Sequence, residues 1–278
     1  MRSMHRARTT TRLAAVLTAA ALALAACSSD DSTGSGGTTA ATGGGSCSGL
    51  SGDTINIVRN AWTASAVEAE IMKQLIESQL CTPAEIVDID ENSMFAGMAD
   101  GSVDFVTENW PSGIVADEQA FIDDGSVVNM GELGAVGQIG WFVPDYVVAE
   151  HPELATWEGF KDPELAKLFA TAETGDLGQF LMGDPSYVTY DEQIIANLGL
   201  PLKYVVAGSE AALLTAIDQA VADQTPVLMQ LWKPHWKLSR VEMVEVKLPD
   251  VTDACTASAA AADGAYACDY PVDLLYKA

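Results

Sequence analysis

The sequence predicts an α/β protein built from two lobes, with a ligand cleft between them. Short apolar segments typical of strands alternate with amphipathic segments typical of helices, and this alternation occurs twice along the chain. A helix that connects two strands of one sheet brings the chain back so that the strands run parallel. Because ligands of such sheets bind outside the carboxyl ends of the strands, we expect binding residues directly after predicted strands.

The first set of elements begins near residue 53. In chain order we predict a strand at 54–59, a helix at 65–80, a strand at 84–90, a short helix at 92–101 that ends with Gly101, and a strand at 103–110 that stops at Pro111. This order predicts a parallel sheet in the first lobe.

The second set follows a stretch rich in glycine. Residues 127–147 contain glycines at every third position from Gly131 to Gly140 among apolar residues, which suits an extended stretch or a crossing between lobes. Beyond it we predict a helix at 190–200, a strand at 203–208, a helix at 209–224 and a strand at 226–232. The lobes are accordingly expected at about 53–135 together with 233–278, and at about 136–232.

The first 26 residues have the pattern of a lipoprotein signal peptide. Four arginines without any acidic residue precede an apolar run, and Cys27 follows in the position for lipidation. The run from Leu13 to Ala26 is shorter than the roughly 20 residues that a membrane-spanning helix needs. Residues 27–52 are rich in Ser, Thr and Gly, which predicts a flexible tether. We therefore expect an extracytoplasmic protein, anchored by its lipid to the outer face of a bacterial cell membrane.

The charge balance restricts the possible partners. The chain has 14 basic and 39 acidic residues, and four of the basic ones lie in the predicted signal peptide. Such a surface repels nucleic acid and anionic lipid headgroups, so we expect no nucleic-acid partner. A soluble monomer outside the cell is one interpretation, and a field that enriches cationic ligands is another.

Four cysteines remain besides the predicted lipid attachment site. An even number in an oxidising compartment predicts two disulfides. The expected pairs are Cys255 with Cys268, which are near each other in the sequence, and Cys47 with Cys81. Metal binding competes poorly, because there is no CxxC motif and only two histidines lie outside the signal peptide. No metal or cofactor is expected.

Aromatic residues stand at several predicted loop junctions. Trp110 ends the third strand in "TENWPSG", Tyr187 lies in "GDPSY" before a helix, and Trp232 ends the last strand in "LMQLWKPHW". A cleft lined by such rings is a cation site. A quaternary ammonium suits it best, because that group has no N–H donor that the rings would leave unsatisfied.

From about Thr54 to about Val246 the chain resembles the glycine betaine and proline betaine binding proteins of ABC importers. The segments that carry the resemblance are "GSVDFVTENW", "FKDPELAKLF", "GDPSY" and "LWKPHW". The resemblance implies a two-lobed fold of the type II periplasmic-binding-protein kind and capture of a quaternary ammonium osmoprotectant. It also implies docking on a membrane permease that is coupled to a cytoplasmic ATPase.

Carried across by motif, the resemblance implies an aromatic box of Trp110, Tyr187 and Trp232, with Trp62 as a reserve candidate. In this interpretation Pro234 rigidifies the turn that aims Trp232, Trp236 packs beneath, and His235 is a structural hydrogen-bonding residue.

At the carboxylate end of the ligand the sequence departs from the family pattern. The backbone N–H groups of Val188 and Thr189 are expected to bind a carboxylate, but no histidine follows Trp110, so Ser112 is the substitute donor. Glu108 lies two residues before Trp110 and is expected on the same face, near the positive end of a ligand. These departures leave choline, carnitine or another cation as alternatives to glycine betaine.

Two other classes of protein remain as alternatives. An enzyme is disfavoured, because the sequence contains no GxSxG, HExxH or P-loop motif and no defensible pair of catalytic carboxylates. A surface lipoprotein that contacts only proteins would account for the tether and the acidity but not for the aromatic residues.

Overall fold

A computed structural model describes residues 53–261 and 263–278. The predicted signal peptide, Cys27, the tether and Cys47 lie outside the described residues. The helices are α1 (Thr63–Leu75), α2 (Met94–Asp100), α3 (Ala116–Asp123), α4 (Asp145–Glu150), α5 (Pro163–Ala166), α6 (Asp191–Leu198), α7 (Glu210–Asp223) and α8 (Asp253–Ala261). The strands are β1 (Ile55–Arg59), β2 (Ala84–Asp88), β3 (Glu132–Pro144), β4 (Gly178–Met182), β5 (Leu202–Val206), β6 (Leu228–Lys233), β7 (Met243–Val246) and β8 (Asp273–Tyr276).

The first sheet consists of β1 and β2, which pair in parallel with Ile57 opposite Ile86. Helix α1 connects them, as the β–α–β pattern predicts, and a π-helical turn at Ile76–Leu80 extends it. Gly101 ends α2 in the left-handed region, with φ of 78°, which glycine adopts at little energetic expense. The first parallel unit is therefore confirmed.

The second sheet has the order β5-β4-β6-β3-β7, and β8 pairs with β3 away from that path. Strands β4, β5 and β6 are parallel, whereas β3 runs antiparallel to β6, β7 and β8. Helix α7 begins at Ser209, whose hydroxyl oxygen accepts the N–H of Ala212 at 3.1 Å. The extended form expected for the glycine-rich stretch is confirmed by β3, and β4 is a strand that the sequence did not predict.

The prediction of a strand at 103–110 is wrong in part. This segment is extended, but it bridges β1 only at Phe105 and pairs with Tyr276 of β8 only at Asn109. The N–H of Val106 meanwhile donates to the carbonyl of Ala278. Because the segment changes partner within a few residues, neither ladder becomes long enough to form a strand.

The core follows from these pairings. The largest buried cluster packs around the second sheet, with Trp141 and Phe180 fully buried at a ring-centroid distance of 4.5 Å. The Trp141 indole N–H donates to Oδ1 of Asp191 at 2.7 Å, which gives the buried indole its hydrogen-bond partner. This contact fixes the start of α6 against β3.

Cysteine pairing agrees with the sequence where it is described. Cys255 and Cys268 form the predicted disulfide. Cys81 is disulfide-bonded, and its predicted partner Cys47 lies outside the described residues, so that pairing stays a prediction. Strand β7 pairs with β3 of the second sheet, although the predicted lobe boundary placed residues 233–278 in the first lobe; that boundary also stays a prediction. Over the described ranges, no helix has both the length and the apolar composition needed to cross a membrane.

Candidate functional site

A cavity opens where segments that follow the carboxyl ends of the parallel strands meet. It encloses about 340 Å³ of space, part of it open to solvent. Four aromatic residues line it: Trp62, Trp110, Tyr187 and Trp232. We call these residues the four-ring cage. Trp62 follows β1, Tyr187 follows β4 and Trp232 lies near the end of β6. Three of the rings therefore lie at the carboxyl ends of parallel strands.

Neighbouring rings of the four-ring cage are steeply inclined to each other. The Tyr187 ring is nearly perpendicular to that of Trp232, at 89° and a centroid distance of 5.8 Å, and it meets the Trp62 ring at 72° and 5.9 Å. The Tyr187 hydroxyl donates to the carbonyl of Ala61 at 3.1 Å, which holds the phenol in this orientation. Perpendicular rings can turn their faces toward one enclosed cation.

Trp110 is held from two sides. Its indole N–H donates to the Glu108 carboxyl at 2.9 Å. Its ring lies so close to Gly137 of β3 that a Cβ built there would be 2.4 Å from the Trp110 Cζ3 atom. Glycine at 137 therefore provides the space that this ring occupies.

The remaining lining of the cavity contains polar and apolar residues. It consists of Glu91, Ile139, Val188, Thr189 and Gln230, and among the described lining residues none is basic. The Glu91 carboxyl accepts the N–H of Val188 at 2.8 Å. Burial raises the pKa of Glu91 to about 8, which the Val188 N–H partly opposes and nearby acidic side chains reinforce.

The sequence matches the family described as the substrate binding domain of ABC-type glycine betaine transport systems over residues 53–276. The chain belongs to this family. Among curated relatives, a trimethylamine N-oxide-binding protein from Pelagibacter ubique (strain HTCC1062) is 25% identical over 187 residues, which cover 66% of this chain and 59% of that protein. The match thus spans less than two thirds of that relative.

Solved structures support the family's fold. A glycine betaine/L-proline-binding protein from Borrelia burgdorferi superposes with a TM-score of 0.59 at 17% identity, covering 81% of this chain and 74% of that one. A choline binding protein in complex with choline gives 0.57 at 13% identity, covering 81% and 70%. Lactococcal OpuAC complexed with glycine betaine gives 0.55 at 13% identity, covering 81% and 77%. The two-lobed type II fold expected from the sequence is confirmed.

Of the residues that the betaine-transport family pattern singled out, the structure brings most together. Trp110, Tyr187, Trp232 and the reserve candidate Trp62 line one cavity with Val188 and Thr189. The Val188 N–H, however, already bonds the Glu91 carboxyl instead of being available to a ligand. The Thr189 side chain lies beside Asp191, where burial raises the carboxyl pKa to about 6 and the threonine partly opposes that rise.

Two predicted polar residues lie outside the cavity lining. The Ser112 hydroxyl donates to Asp273 at 2.5 Å and its N–H donates to the same carboxyl at 3.0 Å, so this serine is committed within the protein. Glu108 is only 3% exposed and accepts from Trp110, so it supports the ring from behind. Burial raises the pKa of Glu108 to about 7, although the indole groups of Trp62 and Trp110 oppose this.

The segment after Trp232 differs from its predicted packing. Trp236 is 52% exposed, so the prediction that it packs beneath the cage is wrong. Trp236 lies within a turn in which the His235 ring accepts the N–H of Lys237, and its indole stacks on the His235 ring at a centroid distance of 5.8 Å. His235 itself lies 3.2 Å from Glu210, which agrees with its predicted hydrogen-bonding role.

Sequence reasoning missed Glu91 and Gln230. Glu91 follows β2 at nearly the distance at which Trp62 follows β1, and Gln230 lies two residues before Trp232 on the same face of β6. A lone polar residue inside the apolar run of β6 was the available signal for Gln230. In the described part of the chain, no group of three or more His, Cys, Asp or Glu side chains is arranged to hold a metal ion.

Proposed function

We propose that the protein captures a small quaternary ammonium osmoprotectant, such as glycine betaine, in the four-ring cage and delivers it to an ABC importer. The observation that carries this proposal is the set of perpendicular rings around a cavity whose described lining includes no basic side chain. An aromatic face in contact with a cation contributes about 0.5 to 2 kcal/mol, depending on how far the cation is desolvated. Several such faces account for much of the roughly 8 kcal/mol that micromolar binding requires.

The chemistry of the cage favours a methylated nitrogen. A primary ammonium would need hydrogen-bond acceptors on every side, which ring faces supply poorly. Three of the relatives named above carry trimethylamine N-oxide, choline or glycine betaine in their descriptions, and each of these compounds has methyl groups on nitrogen. The fourth is described with L-proline besides glycine betaine. Carnitine belongs to the same chemical class and stays an alternative ligand.

The cellular setting follows from family membership and from the N-terminal sequence. We infer an extracytoplasmic protein that is anchored through lipidated Cys27 and works as a monomer. Its partners are a membrane permease and that permease's cytoplasmic ATPase. The family is one of substrate-binding domains, which supports solute delivery over catalysis.

Intrinsic tryptophan fluorescence of the purified protein tests the proposal. Glycine betaine, choline, carnitine and tetramethylammonium are titrated in parallel, with arginine as a cation that lacks N-methyl groups. We expect a saturable change with methylated ammonium ions and little response to arginine. If folded protein, verified by circular dichroism, responds to no methylated ammonium ion, the cage does not bind this class and the proposal fails.

A further inference from the structure

The carboxyl group of Glu91 occupies the position in which a ligand carboxylate was expected. Its Oε2 atom accepts the Val188 N–H at 2.8 Å, and the side chain lines the cavity although the residue is only 8% exposed. These two residues are 97 positions apart, so the bond joins the segment after β2 to the segment after β4. A carboxyl group of the protein therefore occupies this N–H site.

The Glu91 carboxyl packs closely against the backbone of the neighbouring segment. A Cβ at Gly113 would lie 2.9 Å from Oε1 of Glu91 and 3.4 Å from the Val188 Cβ, so glycine at 113 leaves space for this carboxyl. In the described part of the chain, Glu91 forms no salt bridge with any basic group. A buried carboxylate without a cationic partner is unfavourable, and a cation in the cavity would relieve that.

Gln230 adds a second polar group that lacks a partner. It lines the cavity, is 2% exposed, and its Oε1 has no hydrogen-bond donor within the described chain. A buried acceptor without a donor destabilises the empty site, so a ligand that offers a donor gains from meeting it. A hydroxyl group can donate to this oxygen, whereas a carboxylate can bind only the N–H groups of the same amide.

We propose that Glu91 is the counter-ion of the ligand and that, together with Gln230, it selects a quaternary ammonium alcohol such as choline over a betaine that brings its own carboxylate. This inference rests on the proposed function and narrows its ligand class. In this arrangement the cage surrounds the methylated nitrogen, Glu91 supplies the negative charge, and Gln230 accepts the ligand hydroxyl.

The protonation of Glu91 makes the two ligand classes respond oppositely to pH. The titratable groups that face Glu91 are Glu118 of α3, Glu108, Asp273 of β8 and the phenols of Tyr187 and Tyr190. Because these groups supply no positive charge, ionised Glu91 attracts a cation and repels a carboxylate. Burial raises its pKa to about 8, so choline affinity should rise and betaine affinity should fall with increasing pH.

Isothermal titration calorimetry of the purified protein with choline and with glycine betaine tests this directly. We expect choline to bind at least about tenfold more tightly than glycine betaine near pH 9, where Glu91 is ionised, because the two ligands then differ by a close charge interaction. From about pH 6 to about pH 9 the ratio of the two affinities should rise several-fold as Glu91 loses its proton. The pH series uses the unmodified protein, so it needs no variant to fold.

Glu91→Gln removes the charge and keeps the shape of the side chain. Near pH 9, where Glu91 is ionised, this variant should lose about tenfold in choline affinity and keep or gain affinity for glycine betaine, and it should flatten the pH dependence of the affinity ratio. Glu85→Gln is the matched control, since Glu85 is exposed on β2 and its loss should leave both affinities unchanged.

The outcomes separate this inference from the function on which it rests. If glycine betaine binds more tightly than choline and Glu91→Gln leaves the ratio unchanged, the assignment of Glu91 is overturned while the cage stands. If neither compound binds to folded protein, both the inference and the proposed function are wrong.

Discussion

At the scale of single residues, the site shows how one ring is positioned by neighbours that never touch a ligand. Trp110 receives its orientation from the Glu108 carboxyl and its space from Gly137. Its neighbours in the cage are held in other ways, Tyr187 by the Ala61 carbonyl and Trp232 by its place in β6. Ligand affinity therefore depends on contacts behind the cage as well as on the rings themselves.

The two neighbouring tryptophans Trp232 and Trp236 allow a matched test of the cage. Trp232→Ala should weaken choline and glycine betaine binding by about tenfold or more, because an enclosed ring face contributes up to about 2 kcal/mol to cation binding. Trp236→Ala should leave affinity nearly unchanged, since this exposed ring does not line the cavity. Calorimetry of both variants checks this, and equal losses would refute the assignment of Trp232.

Glu108 allows a test of whether its hydrogen bond to the Trp110 indole contributes to ligand affinity. Glu108→Ala should weaken binding of all quaternary ammonium ligands by about threefold to tenfold, because Trp110 loses a hydrogen bond to a buried carboxyl. Glu108→Gln should restore most of the affinity, since an amide oxygen can accept from the same indole N–H. A loss confined to choline would instead indicate direct contact between Glu108 and the cation, as the sequence predicted.

The aromatic residues of the site could be predicted from the sequence, whereas its polar residues could not. Trp62, Trp110 and Trp232 stand at the ends of predicted strands, where sheet geometry gathers side chains, and Tyr187 precedes a predicted helix. Glu91 came to the cavity through a bond between segments 97 residues apart, and no local pattern encodes such a contact. The burial that raises its pKa likewise exists only after both segments have packed.

At the scale of elements, β3 connects the site to the rest of the second sheet. Ile139 of this strand lines the cavity and pairs with Trp232 of β6. Gly137 of the same strand lies against the Trp110 ring. Predicting an extended stretch there required only the alternation of apolar residues. Predicting which of its glycines leaves space for a ring required the position of Trp110, which comes from a different part of the chain.

Two glycines on opposite faces of β3 allow an effect on ligand binding to be distinguished from an effect on the stability of the fold. Gly137→Ala should displace the Trp110 ring and weaken quaternary ammonium binding by about tenfold, with an overpacking penalty of about 1 to 3 kcal/mol in unfolding free energy. Gly140→Ala is the control, because its Cβ would instead meet the Glu245 carboxyl, 2.9 Å away. Urea unfolding and calorimetry should show that the Gly140 variant loses stability but keeps affinity.

The elements that escaped prediction are short or change partner. Strand β4 is short, and β7 and β8 are shorter still, so periodicity had little length in which to appear. The segment 103–110 was predicted as a strand because its residues favour extended backbone. Its change of partner from β1 to β8 is a tertiary effect that composition does not reveal.

At the scale of the whole molecule, buried carboxyl groups make stability depend on pH. Burial raises the pKa of Glu91 to about 8 and that of Glu108 to about 7, above the ordinary value of 4.5. Between pH 4.5 and about pH 8 the folded state therefore binds more protons than the unfolded chain. The free energy of unfolding falls as pH rises through this range. The destabilisation is absent below the unfolded pKa and complete above about pH 8.

We therefore expect the protein without ligand to be more stable near pH 5.5 than near pH 8.5, by roughly 1 to 3 kcal/mol. Urea unfolding at both pH values measures the difference. The Glu91→Gln variant should reduce it, and a protein that is instead more stable at the higher pH would contradict the assignment of these two carboxyl groups as neutral when buried.

Hydrogen bonds in and around the cavity have a consequence for how quickly a ligand enters. Three hydrogen bonds join segments of the first part of the chain to segments around the second sheet: Glu91 with Val188, Tyr187 with Ala61, and Thr63 with Glu210. A solute must wait until these bonds break before it reaches the rings. In stopped-flow measurements the observed association rate should therefore level off at high solute concentration, where it equals the rate of opening.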